Sequence, residues 1–263
     1  MEKPSLEYLI DLARGAGAIL YDGLGKEHDI THKGRIDLVT EMDHRSEDYL
    51  LERIRAQFPQ HTINSEESGV INGAGQSSCW YIDPLDGTTN YAHAVPIFAV
   101  SLAYAEAGVV RLAVVYNPAS EECFTAERGR GAWRNGESLH VSEIDQFADA
   151  LLVTGFAYDP AVTERNLRCF NHFMRISQGV RRLGSAALDL CSVAAGRFEA
   201  YWELSLNDYD LAAGALIVEE AGGRVSRIDG SPDYLQAPHS ILAANPHLYP
   251  QMLKELEKTG QTG

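Results

Sequence analysis

Four acidic residues, Glu66, Asp83, Asp86 and Asp210, each fall where an apolar run stops or a helical pattern begins. In α/β proteins those are the places where sites are built. Asp83 and Asp86 stand three residues apart in WYIDPLDGTTNYAH (80–93), directly after an apolar run. Two like charges that close repel each other and cost free energy to desolvate. Pro84 sets one φ and Gly87 loosens the next turn, so the segment can fold sharply and present Asp83, the Leu85 carbonyl and Asp86 to a common point. Hard divalent cations such as Mg2+ take this mixture of carboxylate and carbonyl oxygens, and one ion between the two aspartates would turn repulsion into binding. Gly87-Thr88-Thr89-Asn90 would then open a helix or turn whose free N–H groups can cradle a phosphate. The alternative is that both aspartates merely cap a turn, as Asp-Pro and Asp-Gly pairs do.

The elements that must position these residues are legible from periodicity. Apolar positions recur at helical spacing over 5–22 and again from about Thr40 to Phe58, where Pro59 follows. HTINSEE and CWYIDP read as short strands ending in acids, and β-like runs occupy 97–106, 110–117 and 121–126. Asn135-Gly136 is a hairpin turn signal. From about 150 strands and helices alternate: LLVTGF, a helix over 160–177, GVRRL, a helix in SAALDLCSVAAG and RFEAYWEL. A strong helix follows in YDLAAGALIVEEAGG, stopped by Gly222-Gly223, then strands GRVSRI and SILAAN and a closing helix over 246–258. The expected organisation is an N-terminal α+β half, 1–145, carrying most of the candidate ligands. A C-terminal α/β half, 146–263, would supply Asp210 and the substrate pocket.

Composition narrows the function. With 22 basic against 37 acidic residues the net charge is −15, which argues against direct binding to nucleic acid. No run approaches a membrane span, and the N-terminus, interrupted by Asp11 and Arg14, reads as an amphipathic helix rather than a signal peptide, so a cytoplasmic location is expected. The four cysteines are scattered, without a CxxC pair, which leaves a zinc site unsupported.

Four segments in order, IDLVTEMD (36–43), INSEES (63–68), WYIDPLDGTTNY (80–91) and YDLAAGALIVEEAGG (209–223), resemble the inositol monophosphatase family of Mg2+-dependent, lithium-sensitive phosphatases, over about residues 5–250. The resemblance implies a layered αβαβα sandwich of the inositol monophosphatase and fructose-1,6-bisphosphatase type, usually a homodimer. It implies two to three Mg2+ ions: a first on Glu66, Asp83 and the Leu85 carbonyl, a second on Asp83, Asp86 and Asp210, and a weaker third mainly on Glu66. Thr88, paired with Asp43, would orient the attacking water, and the phosphate would lie against the N–H groups of Gly87 and Thr88. Gly184, Ser185 and Ala186 match a segment lining the polyol pocket, although Ser185 also reads as a plain N-cap. Glu203 matches a glutamate that binds substrate hydroxyls, and Lys33 a mobile-loop lysine near the metals, or else a solvated loop charge. Asp37 would support its loop; Arg181, Arg182, Glu219 and Glu220 read as structural or interfacial, and His93 as packed or exposed.

Tyr209 stands where the family usually has Trp, and Ser65 where Gly is frequent. The expected activity is hydrolysis of myo-inositol monophosphate, a small phosphorylated polyol, to inositol and phosphate. Fructose 1,6-bisphosphate and 3′-phosphoadenosine 5′-phosphate are rival substrates, and a non-catalytic interaction module on the same fold is the rival class.

Overall fold

The structure, a computed structural model of the chain, describes residues 2–26, 30–32, 38–75, 77–157 and 159–260. Ser5 opens α1 (Leu6–Gly23) by accepting the Tyr8 N–H at 3.1 Å. Two short strands that periodicity did not reveal, β1 (Ile30–His32) and β2 (Leu38–Thr40), pair antiparallel and lead into α2 (Glu41–Gln57). Next come β3 (Thr62–Ser65), β4 (Gly69–Ile71), β5 (Ser78–Asp86) and the short α3 (Thr88–Ala92). A meander follows: β6 (Ala99–Glu106), β7 (Val109–Asn117), β8 (Glu122–Glu127), β9 (Gly131–Arg134) and β10 (Glu137–Ser138). Asn135 and Gly136 join the last two strands with φ of 51° and 85°, the left-handed pair that a two-residue primed hairpin turn requires. The resulting eight-stranded sheet, β10-β9-β8-β7-β6-β5-β3-β4, is antiparallel except where β3 runs beside β5.

The remainder alternates as expected: β11 (Leu151–Thr154), α4 (Pro160–Ile176), β12 (Gly179–Arg181), α5 (Ala186–Ala194), β13 (Ala200–Leu204) and α6 (Asp208–Glu220). It closes with β14 (Arg224–Ser226), β15 (Ser240–Ala244) and α7 (Tyr249–Lys258). The second sheet is β12-β11-β13-β15-β14, parallel through its first three strands and antiparallel at β15.

Strand alternation explains why these elements stack in five layers. On one face of the large sheet Trp80, Ile82, Val100, Leu102 and Val114 pack with Leu9, Leu20 and Leu50 of α1 and α2. The opposite face carries Ala99, Ala103, Ala105 and Ala113, whose small side chains let α5 and α6 approach closely. The same two helices meet Tyr201, Ile241 and Ala243 of the smaller sheet, whose other face packs Trp202, Leu242 and Leu204 against Phe173 of α4 and Met252 of α7. The order is therefore α1/α2, large sheet, α5/α6, small sheet, α4/α7. Because α6 lies between two sheets, every residue from Leu211 to Val218 is buried, and its helix has no polar face there.

One local expectation needs correction. The chain does not leave its strand and turn at Asp83; β5 continues to Asp86. Asp83 is paired with Ser101 and Asp86 with Ala99, so three steps on β5 face two on β6 and the extra residue makes a bulge. Pro84, which has no N–H to give a ladder, sits inside that bulge, where its loss is tolerated.

Candidate active site

The β5 bulge re-aims two carboxylates. Asp83, buried, accepts the Leu85 N–H at 3.0 Å, and Ser46 of α2 holds the Pro84 carbonyl at 2.8 Å. Asp86 accepts the Ser185 hydroxyl at 2.5 Å and the Ala187 N–H at 2.8 Å, so it is tied to the start of α5. Ser185 is also the N-cap of α5, accepting from Leu188 N–H at 3.3 Å, the capping role that the sequence offered for it. Gly87 has φ 94° and a Cβ there would come within 2.9 Å of the Ile97 carbonyl, so glycine is required on both counts. Asn90, read in the sequence only as the end of the phosphate-cradling segment, bonds the Ile97 and Leu183 carbonyls through its side chain, each at 2.8 Å, and ties α3 to the strand connection before Gly184.

Two further acids arrive on helix N-termini. Asp43, at the third position of α2, accepts the Thr40 N–H and hydroxyl at 2.8 and 2.7 Å through one oxygen. Its other oxygen takes the Thr88 hydroxyl at 3.0 Å; that hydroxyl also lies 3.1 Å from the Leu85 carbonyl. Asp210, at the same position of α6, accepts the Asn207 N–H at 2.7 Å. Both are the reciprocal half of a capping box.

Glu66 follows β3, its N–H bonded to the Ile82 carbonyl at 3.1 Å, so the parallel β3–β5 pairing sets it beside Asp83. Glu47 of α2 braces this corner, accepting the Ser65 hydroxyl at 2.5 Å and the Ser68 hydroxyl at 2.7 Å. Serine in place of glycine at 65 thus gains a buried partner. Glu203, buried on β13, accepts the Tyr201 hydroxyl, and Gly155 gives it room: a Cβ at 155 would lie 1.9 Å from its Oε2. Gly155 escaped the sequence reading because the close approach joins two strands far apart in the chain.

These groups meet in one cavity of about 480 Å3. Glu66, Asp83, Leu85, Asp86, Gly87, Thr88, Gly184, Ser185, Ala186, Glu203 and Asp210 all line it, as does Tyr209. Asp43 stands behind Thr88 rather than in the wall, and exposed His93 does not contribute. Lys33 and Asp37 lie outside the described residues. Several lining residues were not anticipated, among them Arg182 and Asp189. Arg182, read as structural or interfacial, is the one basic side chain among the described lining residues, beside seven carboxylates. Asp189, 1% exposed, has neither oxygen hydrogen-bonded among the described residues. Glu219 does act structurally, accepting from Arg128 at 2.7 Å and from the Tyr234 hydroxyl at 3.1 Å.

The electrostatics follow from this crowding. Burial pushes the Asp83 carboxyl well above its usual range, and the charges of Glu66, Asp86 and Asp210 add to the rise. Asp210 is raised by loss of water contact, partly offset by the Asn207 N–H and raised further by Glu66, Asp86 and Glu203. Burial also raises Asp86, against the Ser185 hydroxyl and the Ala187 and Ala186 N–H groups that hold it down, and lifts Glu203 to about 7. As placed, no three His, Cys, Asp or Glu side chains among the described residues converge on a single metal position. The donor chemistry nevertheless fits a hard cation: Glu66, Asp83, Asp86 and Asp210 are all oxygen donors, border one cavity and repel one another. A positive charge there offsets a cost the fold already bears.

A model of the inositol monophosphatase family matches residues 1–261. The chain belongs to that family. It is 43% identical to the inositol-1-monophosphatase of a Synechocystis strain, covering 97% of this chain and 90% of that protein. It is 41% identical to the Nus factor SuhB of Pseudomonas aeruginosa, covering 97% and 96%. The solved inositol monophosphatase of Anabaena superposes with a TM-score of 0.86 at 41% identity over 96% of each chain. The protein is thus an inositol-monophosphatase-type phosphatase, an enzyme for small phosphorylated substrates whose family implies a metal cofactor. Among the described residues no helix is long and apolar enough to cross a membrane.

Proposed function

We propose that the protein hydrolyses myo-inositol monophosphate to inositol and phosphate, in the cytoplasm, as a Mg2+-dependent homodimer. The observation that carries this is the single cavity in which four oxygen-donor acids, the Gly87–Thr88 segment and Glu203 share one wall. Glu66, Asp83 and the Leu85 carbonyl would hold one Mg2+, Asp83, Asp86 and Asp210 a second, and Glu66 a weaker third. When bound, such ions neutralise phosphoryl charge and ease the ionisation of water.

The chain's own groups do the rest. Thr88 donates its O–H hydrogen bond to Asp43 at 3.0 Å, which leaves a hydroxyl lone pair to accept a hydrogen bond from the attacking water. Burial raises the Asp43 carboxyl, above all other influences, so receiving a proton through Thr88 costs it less than it would cost an exposed aspartate. The Gly87 and Thr88 N–H groups orient the phosphate oxygens. Glu203, lifted to about 7, can accept or donate a hydrogen bond to a polyol hydroxyl near neutrality.

Phosphate release from inositol 1-phosphate, fructose 1,6-bisphosphate and 3′-phosphoadenosine 5′-phosphate, with and without Mg2+, tests the proposal. The expected result is Mg2+-dependent turnover, inhibited by Li+, that favours the inositol ester and disappears in Asp86→Asn. Preference for another ester would replace the substrate; no turnover of any ester by folded, metal-supplied protein would sink the activity. The 41% identity to a protein named Nus factor SuhB supports a second role, binding within a transcription assembly. With a net charge of −15 such contact would be with protein rather than with nucleic acid. That role would survive Asp86→Asn.

A further inference from the structure

Arg182 shares the wall of the catalytic cavity with seven carboxylates and is the only cationic side chain among its described lining residues. Its backbone is held from both sides. Arg182 directly follows β12, which pairs with β11, and the next carbonyl, that of Leu183, accepts the Asn90 amide at 2.8 Å. The residue is exposed, and no ion pair or hydrogen bond ties its guanidinium among the described residues. One Nη lies against Gly184, where a Cβ would come within 3.1 Å of it. The charge of Arg182 lowers the proton affinity of both Asp189 and Glu203, which sets it on the Glu203 side of the cavity.

A polyol hydroxyl is one donor and two acceptor lone pairs. Glu203, when ionised, can take the proton side of such a group but offers nothing to its oxygen. Once water is excluded that oxygen needs a donor, and an acceptor left without one costs free energy. The hydroxyls of Thr88 and Ser185 do not supply it, since they donate to Asp43 and Asp86. A guanidinium does, with N–H groups in a planar fork that suits two neighbouring oxygens. The geometry points to Arg182 as a specificity-determining residue: its guanidinium donates to hydroxyl oxygens on the alcohol half of the substrate, opposite Glu203, and selects a polyol ester over the ester of a plain alcohol. A second phosphate fits that place less well, because it adds negative charge beside Glu203 and Asp189. This assignment deepens the phosphatase reading and rests on it.

The test is steady-state kinetics of the full chain with Mg2+ on inositol 1-phosphate, n-propyl phosphate and fructose 1,6-bisphosphate. In Arg182→Gln the ratio of kcat/KM for inositol 1-phosphate to that for propyl phosphate should fall about tenfold, through KM rather than kcat. The fall should be smaller in Arg182→Lys, which keeps a cationic donor but loses the fork. An unchanged ratio overturns the assignment while the phosphatase reading stands. If both rates fall together and the variant sediments as a monomer where the wild type is a dimer, Arg182 belongs to the subunit interface instead. A greater loss for fructose 1,6-bisphosphate than for inositol 1-phosphate also overturns it, because that pattern places a second phosphate on Arg182. If the wild type turns over no ester, the phosphatase reading falls and binding decides. Saturation-transfer NMR of myo-inositol should then show contact with the wild type that weakens in Arg182→Gln; equal contact with both, or none with the wild type, overturns the assignment.

Discussion

Asp43 and Asp210 begin from the same local motif and end with different duties. Each is the third residue of its helix and accepts the N–H of the residue before it, at 2.8 Å from Thr40 and 2.7 Å from Asn207. Asp43 has further neutral partners, the hydroxyls of Thr40 and Thr88. The only other bond to the Asp210 carboxylate among the described residues is a long one from the Asn207 amide, at 3.4 Å. Its surroundings are Glu66, Asp86 and Glu203, all acids that raise its affinity for a proton. A cap thus fixes where a carboxylate stands, and the rest of the fold decides whether it meets a hydroxyl or a field of like charge.

The largest contrast is expected from Asp210→Asn. Losing one of the oxygen donors of the proposed metal site should lower kcat/KM by about 10³-fold or more. In chelator the same change should raise the melting temperature by about 2–4 °C, because it removes one of the repelling charges. A lowered melting temperature in chelator would mean that Asp210 acts as a structural cap like Asp43.

Next comes the pH dependence of the shared acidic field, read through Glu203. Below about 4.5 this group is protonated folded or unfolded. Between about 4.5 and its folded value of about 7, the unfolded chain releases the proton and the folded one retains it, so stability falls as pH rises through that window. Metal-free protein should lose about 3 kcal/mol from this residue between pH 4.5 and 7.5, measured by denaturant melts, and Glu203→Gln should abolish that share. A metal-free stability that rises across this window would contradict the burial argument.

Asp43→Ala should do the opposite of Asp210→Asn in chelator. Removal of the cap costs about 1–2 kcal/mol of stability. With metal supplied, kcat should fall about 10²-fold as Thr88 loses its orienting partner, with KM little changed. Equal behaviour of the two variants in chelator would erase the distinction drawn between them. The smallest effect is expected from Gly155→Ala, whose Cβ must displace Glu203. KM for the inositol ester should rise about tenfold, with about 1–3 kcal/mol of destabilisation. An unchanged KM would remove Glu203 from polyol binding.

Much of this was legible in the chain. The helices α1, α2, α4 and α6 and the strands of both sheets other than β4 lie within a few residues of the segments that announce them. The acids stand where apolar runs end, and they gather in one cavity because strand ends and helix starts do. The β5 bulge was hidden because Asp-Pro reads as a turn until β6 is known to pair on both sides of it. β1 and β2 were hidden because three-residue strands carry too little alternation to detect.

Local chemistry alone therefore determined the elements, their caps, the Asn135-Gly136 turn and the oxygen-donor character of the candidate ligands, since each depends on side chains within a few positions. Only the tertiary structure decided the rest. It seats Thr88 on Asp43, Ser185 on Asp86 and Asn90 on Leu183, makes room at Gly155 for Glu203, and brings Asp189 and Arg182 into the acidic wall. Burial and the field of distant charges are set by packing between segments far apart in sequence, and no window of the chain contains them.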